Sequence, residues 1–146
     1  MRVTQIRDDE HDRATLVWEA SVRATHDFVT DADIALFRPL VHASFGEIQH
    51  LAVLRDDDDL LVGFVGVEGD KVEMLFLDPA VRGQGGGRLL LQHAVSVFGA
   101  TTVDVNEQNP QAVGFYLHEG FHQVGRSALD GLGKPYPLLH LALPNS

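Results

Sequence analysis

The chain has 146 residues, enough for one compact domain and too few for two ordinary ones. Its 45% hydrophobic and 22% charged residues are globular proportions, and the absence of cysteine excludes a disulfide framework, a thiolate zinc site and a thiol nucleophile. A formal net charge of -10 argues against nucleic acid as a partner, because phosphates demand a basic surface; it suits a cationic ligand, or simply keeps the protein soluble.

The opening segment Met1 to Asp9 has no apolar stretch of the signal-peptide kind, and no window approaches the ~20 apolar residues of a membrane span. A cytoplasmic chain with no membrane partner is expected, folded as one domain over residues 1–146. Val3 to Arg7 alternates apolar and polar residues and predicts a first strand. From His11 to Phe28, the residues Ala14, Val17, Ala20, Ala24 and Phe28 recur at helical spacing, with Trp18 beside the stripe. Asp31 to Val41 reads as a second helix capped by Thr30 or Asp31, and Pro39 implies a kink or an early stop.

Two apolar runs follow, Leu51 to Leu54 and Leu60 to Val67, separated by Asp56-Asp57-Asp58-Asp59. Four consecutive aspartates invite comparison with a metal site, but their spacing suits a solvated hairpin turn, and no metal is expected. A second turn at Glu68 to Lys71 leads into Val72 to Leu77, so these three strands form an antiparallel meander. Glycines cluster from Gly83 to Gly87, and Leu89 to Phe98 then continues with helical spacing up to Gly99. Thr101 to Val105 is a short strand, and Asn109-Pro110 opens a helix that stops at Gly120. Phe121 to Gly125 and Pro137 to Leu143 close the chain. The fold class is α/β: a mixed, mostly antiparallel central sheet flanked by helices, in the order β-α-α-β-β-β-α-β-α-β-β.

The segment Leu75 to Leu91 is strand, tight turn, helix, and its turn holds Arg82-Gly83-Gln84-Gly85-Gly86-Gly87-Arg88. Glycines at a helix start let backbone N–H groups approach an anion, and the helix dipole adds a favourable field. Arg82 and Arg88 bring positive charge into an otherwise acidic protein, so a pyrophosphate is the natural guest. A Walker A loop would end in Gly-Lys-Ser/Thr, whereas Gly87 is followed by Arg88 and Leu89. The dinucleotide fingerprint also fails, because Arg88 or Leu90 stands where its third glycine belongs.

Arg82-x-x-Gly85-x-Gly87 resembles the coenzyme A signature of the GNAT superfamily of N-acetyltransferases, as do the preceding Leu75-x-Leu77-x-Pro79 and the following Leu89-Leu90. A second block, Val105-Asn106-x-x-Asn109-x-x-Ala112-x-x-Phe115-Tyr116-x-x-x-Gly120-Phe121, is similar to the family's second half. The segment Ser21-x-Arg23-x-x-His26-x-Phe28 resembles an uncharacterised bacterial subgroup. The chain departs from the pattern at Gly86, where the family usually carries an apolar residue, and a looser loop with weaker cofactor affinity is expected from it.

The resemblance implies acetyl transfer from acetyl-CoA to a primary amine of a small molecule or peptide, by direct attack in a ternary complex. It implies cofactor contacts from Leu75, Phe76, Leu77, the loop Arg82 to Arg88, Asn109 and Tyr116. Tyr116 matches the tyrosine that faces the CoA sulfur and would protonate the thiolate; alternatively it packs in the core beside Phe115. Asn109 bonds the cofactor arm or only caps its helix. For the general base the candidates are Glu73, on the strand face of Leu75 and Leu77, His26, and ordered water. Acceptor contacts are expected from Trp18, Ser21, His26, Phe28 and the Lys134 to Pro137 hairpin with Tyr136, although Trp18 and Phe28 also fit the core. A non-catalytic acetyl-CoA-binding regulator on the same fold is the rival reading, and the fold is compatible with a homodimer.

Overall fold

The computed structural model describes residues 1–25, 29–131 and 133–144. Among the described residues, seven strands and four helices follow in the order β1 (Arg2–Thr4), α1 (His11–Thr25), α2 (Asp31–Ser44), β2 (His50–Arg55), β3 (Leu61–Glu68), β4 (Lys71–Leu77), α3 (Gly86–Ser96), β5 (Thr102–Asn106), α4 (Pro110–His118), β6 (His122–Ser127) and β7 (Leu138–Ala142). A single 3-10 turn, Pro79–Val81, links β4 to the glycine loop. The strands form one sheet in the order β1-β2-β3-β4-β5-β7-β6, in which only the β4–β5 pairing is parallel. This is the expected α/β class and element order.

The boundaries have local causes. The first strand ends at Thr4, earlier than its alternation suggests. The backbone of Arg7 is committed elsewhere: its N–H donates to the Glu10 carboxylate at 2.8 Å, and its carbonyl accepts from the Glu10 N–H at 3.1 Å, turning the chain into α1. Thr30 and Asp33 cap each other reciprocally at the start of α2. That helix runs on through Pro39 to Ser44, so the proline does not stop it. The missing proline N–H costs one helical hydrogen bond on an exposed turn, while Ile34, Phe37 and Val41 on the other side of the helix pack into the cluster formed with α1.

Helices cover both faces of the sheet. On one, Ala14, Val17, Trp18 and Val22 of α1 and Ile34 of α2 pack with Val53, Leu61 and Phe64. On the other, Leu90, Leu91 and Ala94 of α3 and Tyr116 of α4 pack with Leu54, Val65, Val72 and Val103. Full burial of each such side chain contributes about 1.5–3 kcal/mol, so the two helical layers hold the sheet from both sides. No helix among the described residues is long and apolar enough to cross a membrane.

Two features of β4 open the sheet along its second half. Val72 pairs with Val67 but Met74 pairs with Gly66, so Glu73 is the extra residue of a β-bulge. The parallel ladder to β5 also stops at once, after Lys71 with Thr102 and Val72 with Val103. Beyond the bulge β4 and β5 part, and the edge of β4 from Glu73 to Leu77 that faces β5 has no strand partner among the described residues.

Candidate active site

Two cavities open where β4 and β5 separate. One, of about 580 Å³, lies on the α1–α2 face. The other, of about 470 Å³, lies between the glycine loop, α3 and α4. Among the described residues, Phe76 alone lines both.

The smaller cavity is built from the glycine loop. Gly83 and Gly85 adopt φ of 80° and 85°, and an added Cβ at either would meet no atom within 4 Å. Glycine is therefore needed there for backbone conformation rather than for space. Gly85 is the N-cap of α3, so the unpaired N–H groups of the first helical turn open on the cavity beside Arg82 and Arg88. Arg88 lies 3.6 Å from Glu119. Gln84 is exposed and does not line the cavity, whereas the rest of the loop from Arg82 to Arg88 does. Gly86 is buried, and a Cβ there would sit 2.6 Å from Leu54 Cδ2 and 3.3 Å from Leu77 Cδ2. Where an apolar side chain would stand, the neighbouring leucines already occupy the space.

The far wall comes from α4. Asn109 is buried, accepts from the Ala112 N–H at 3.2 Å as the cap of α4, and also lines the cavity. Tyr116 is 5% exposed, with its ring edge-on to Phe115 at 5.2 Å and to Phe121 at 5.7 Å. Burial pushes its phenol well above the ordinary value of about 10, so the group stays protonated at neutral pH. Among the described residues its hydroxyl has no hydrogen-bond partner, yet no side-chain polar atom is both sealed and unpaired. The hydroxyl therefore opens on the cavity that the ring lines. The Tyr116 ring is packed in the core, as one of its two expected readings has it, and its hydroxyl faces the cavity.

The larger cavity has an apolar wall and an acidic rim. Trp18, Val22, Phe37 and Val41 face Met74 and Phe76, and the carboxylates Glu47, Glu68, Glu73 and Asp130 surround them. No lysine, arginine or histidine among the described residues lines it. Trp18 serves the core and the cavity together, at 5% exposure. The bulge corrects the placement of Glu73. The residue lies with Met74 and Phe76 on this cavity, whereas Leu75 and Leu77 pack on the opposite face and line the smaller one. Ser21, expected beside Trp18 among the acceptor contacts, lines the smaller cavity. Tyr136 lines the larger cavity, and its hydroxyl donates to Asp33 Oδ2 at 2.6 Å, tying the segment before β7 to the start of α2. That bond, the Thr30 backbone and nearby Lys134 hold the Asp33 carboxyl below its usual range. His26 and Phe28 lie outside the described residues.

The sequence reading missed the α2 wall, although Phe37, Leu40 and Val41 stand at i, i+3 and i+4 on one helix face. It also missed Glu47, Glu68 and Asp130, which come from separate turns and meet only in the fold.

The smaller cavity, with its helix N–H groups and guanidinium groups, suits an anionic ligand, and it shares one wall with an apolar, carboxylate-rimmed cavity that suits a cationic one. Comparison with known proteins gives the family. A model described as an acetyltransferase (GNAT) domain matches residues 32–131. Two relatives carry the name peptidyl-lysine N-acetyltransferase YjaB: that of Salmonella typhimurium is 43% identical over 144 residues, 99% of each chain. That of Escherichia coli K12 is 44% identical over 140 residues, 96% of this chain and 95% of the relative. The solution structure of apo-form YjaB from Escherichia coli superposes with a TM-score of 0.88 at 42% identity, covering 100% of both chains. The PaiA N-acetyltransferase of Thermoplasma acidophilum, solved in complex with coenzyme A, shares the fold at a TM-score of 0.76 and 17% identity, over 98% of each chain. The chain belongs to the GNAT acetyltransferase family, and it is an acyltransferase.

Proposed function

We propose that residues 1–146 act as one domain that transfers an acetyl group from acetyl-CoA to the side-chain amine of a lysine residue in a peptide or protein, both ligands being bound at once. The observation that carries this reading is the meeting of two chemically opposite cavities at Phe76, on the free edge of β4. The names of the close relatives support a lysine acceptor. The apolar wall accepts the lysine stem, and the carboxylate rim favours its ammonium.

On the donor side, the first turn of α3 with Arg82 and Arg88 takes the pyrophosphate. The unpaired edge at Leu75 to Leu77 takes the amide-bearing pantetheine arm as an added strand would be taken, and one of its N–H groups polarises the thioester carbonyl. An alkyl ammonium titrates near ~10.4, so it must lose a proton before attack. Glu73, displaced onto the acceptor cavity by the bulge, receives that proton directly or through water. The amine nitrogen then bonds to the carbonyl carbon, the C–S bond breaks with its electron pair leaving on sulfur, the Tyr116 hydroxyl donates a hydrogen bond to that thiolate, and the surplus proton on the nitrogen passes through water to the thiolate, leaving amide and free thiol.

Calorimetric titration with acetyl-CoA, with ATP and NAD as controls, followed by thiol release over a panel of lysine peptides and small amines, tests the reading. Binding of acetyl-CoA alone, with turnover on lysine peptides, is the expected result. Binding without turnover on any amine would favour a regulator on this fold, and no binding would remove the enzyme mechanism altogether.

A further inference from the structure

On the α1–α2 face of the sheet, bordering the larger cavity at Asn106 and Glu73 but outside its lining, four polar side chains on four neighbouring strands form one hydrogen-bonded chain. Ser127 Oγ of β6 lies 2.7 Å from His140 Nε2 of β7. His140 Nδ1 lies 2.6 Å from Asp104 Oδ1 of β5. Asp104 Oδ2 is also bonded to Lys71 of β4. The register builds this chain. Asp104 and His140 are directly paired across strands, and Ser127 pairs with Leu138, two residues before the histidine. The alternate residues Val103, Val105, Leu139 and Leu141 point the other way, into the core against α3 and α4. Burial opposes the charge on Asp104, but hydrogen bonds from His140 and Lys71 outweigh it and hold the carboxyl below its usual range.

The nitrogens are used in the order that serine hydrolase chemistry requires. A carboxylate on Nδ1 fixes the tautomer that leaves Nε2 as an acceptor, and the serine hydroxyl is the group at Nε2. Ser127 and His140 are only half-buried, so a small acyl donor can reach the hydroxyl. None of these side chains lines the cavities assigned to the amine transfer. We infer that Ser127, with His140 as base and Asp104 orienting it, is a second acyl-accepting centre that forms an O-acyl serine with activated acyl esters.

In this step Ser127 Oγ bonds to the acyl carbon while its proton passes to His140 Nε2. The bond from the acyl carbon to the leaving oxygen breaks, and the alcohol or phenol departs with the electron pair. The inference does not rest on acetyl-CoA binding, so its failure is separable from failure of the amine transfer.

The test is incubation of the whole chain with p-nitrophenyl acetate in the absence of coenzyme A. Nitrophenolate release is followed together with intact mass and peptide mapping. One acetyl group per chain on Ser127 is expected, formed about 100-fold or more faster than in Ser127→Ala, the lower end of what a positioned base supplies. His140→Ala should fall to the Ser127→Ala rate. Asp104→Asn, which keeps the side chain's volume, should fall substantially as well, so the claim does not depend on one variant folding. Circular dichroism melts establish that each protein is native. Acetyl groups found only on lysines, a Ser127→Ala rate equal to the parent, or undiminished labelling of Ser127 in His140→Ala would each overturn the inference.

Discussion

Replacing Tyr116 by Phe removes one oxygen atom and leaves the ring in place between Phe115 and Phe121. The hydroxyl has no partner among the described residues and opens on the cavity, so folding stability should change by no more than about 0.5 kcal/mol. Burial pushes the phenol pKa up, whereas a free thiol titrates near ~8.5, so full proton transfer from the tyrosine to the thiolate is uphill. Its contribution is then mainly a hydrogen bond to developing negative charge, about 1.5–3 kcal/mol, or roughly 10- to 150-fold in kcat. The neutral thioester sulfur gains little from the same hydroxyl, so coenzyme affinity should stay within about twofold. Thiol release at saturating donor and acceptor measures the first quantity and calorimetry the second; the chain has no cysteine to add background. Because the phenol remains protonated, the deficit should be constant from pH 7 to at least about 9.5. Equal turnover in the two proteins would refute the donor role, and a matching loss of coenzyme affinity would show that the hydroxyl serves binding instead.

Three further outcomes are expected. Glu73→Gln should lower kcat/KM for lysine peptides by about tenfold or more while leaving acetyl-CoA binding unchanged, as calorimetry would show; an unaltered pH profile would exclude Glu73 as the base. Gly85→Ala forces a side chain onto a residue at φ 85°, so thermal unfolding should show about 1–2 kcal/mol of lost stability, accompanied by weaker acetyl-CoA binding. Arg55 is 1% exposed and its guanidinium donates to both Glu10 oxygens, at 2.6 and 2.7 Å, so Arg55→Met should cost roughly 3–5 kcal/mol. That same hydrogen bond lowers the Glu10 pKa against the opposing effect of burial. The unfolded chain therefore binds the proton more readily, and the stability from this pair is complete above about pH 4.5 and lost as pH falls through the lower folded value. Acid titrations should show a shallower decline in the Arg55→Met variant than in the parent.

Local signals were enough for the order of the elements and for the glycine loop and helix start that line the smaller cavity. Positive-φ glycines, an Asn-Pro helix start and a helix face of leucines are written in contiguous residues, and each appears in the fold where those residues stand. The acceptor side was less legible, because the facing of Glu73 depends on its register with β3. Counting by twos from Leu75 and Leu77 assigns it to the wrong face once Val72 and Met74 pair with neighbouring residues of β3. That Ser21 lines the smaller cavity was illegible for a related reason: a helical stripe gives the buried face but not which side of a split sheet the helix end overlooks. Gly86 read as a loose point, whereas the fold fills the space beside it with Leu54 and Leu77. The Ser127, His140 and Asp104 arrangement joins residues 13 and 36 positions apart and requires β7 to insert between β5 and β6, which no local pattern announces.

The parting of β4 from β5 turns the sheet into a measuring device. A compound that joined a coenzyme fragment to an amine would have to thread the gap past Phe76 to occupy both cavities. Too short a tether would leave one half unbound, and too long a tether would dilute the local concentration of the second half. A series of such tethered inhibitors should therefore pass through a sharp optimum in length, and that optimum would report how far apart donor and acceptor are held.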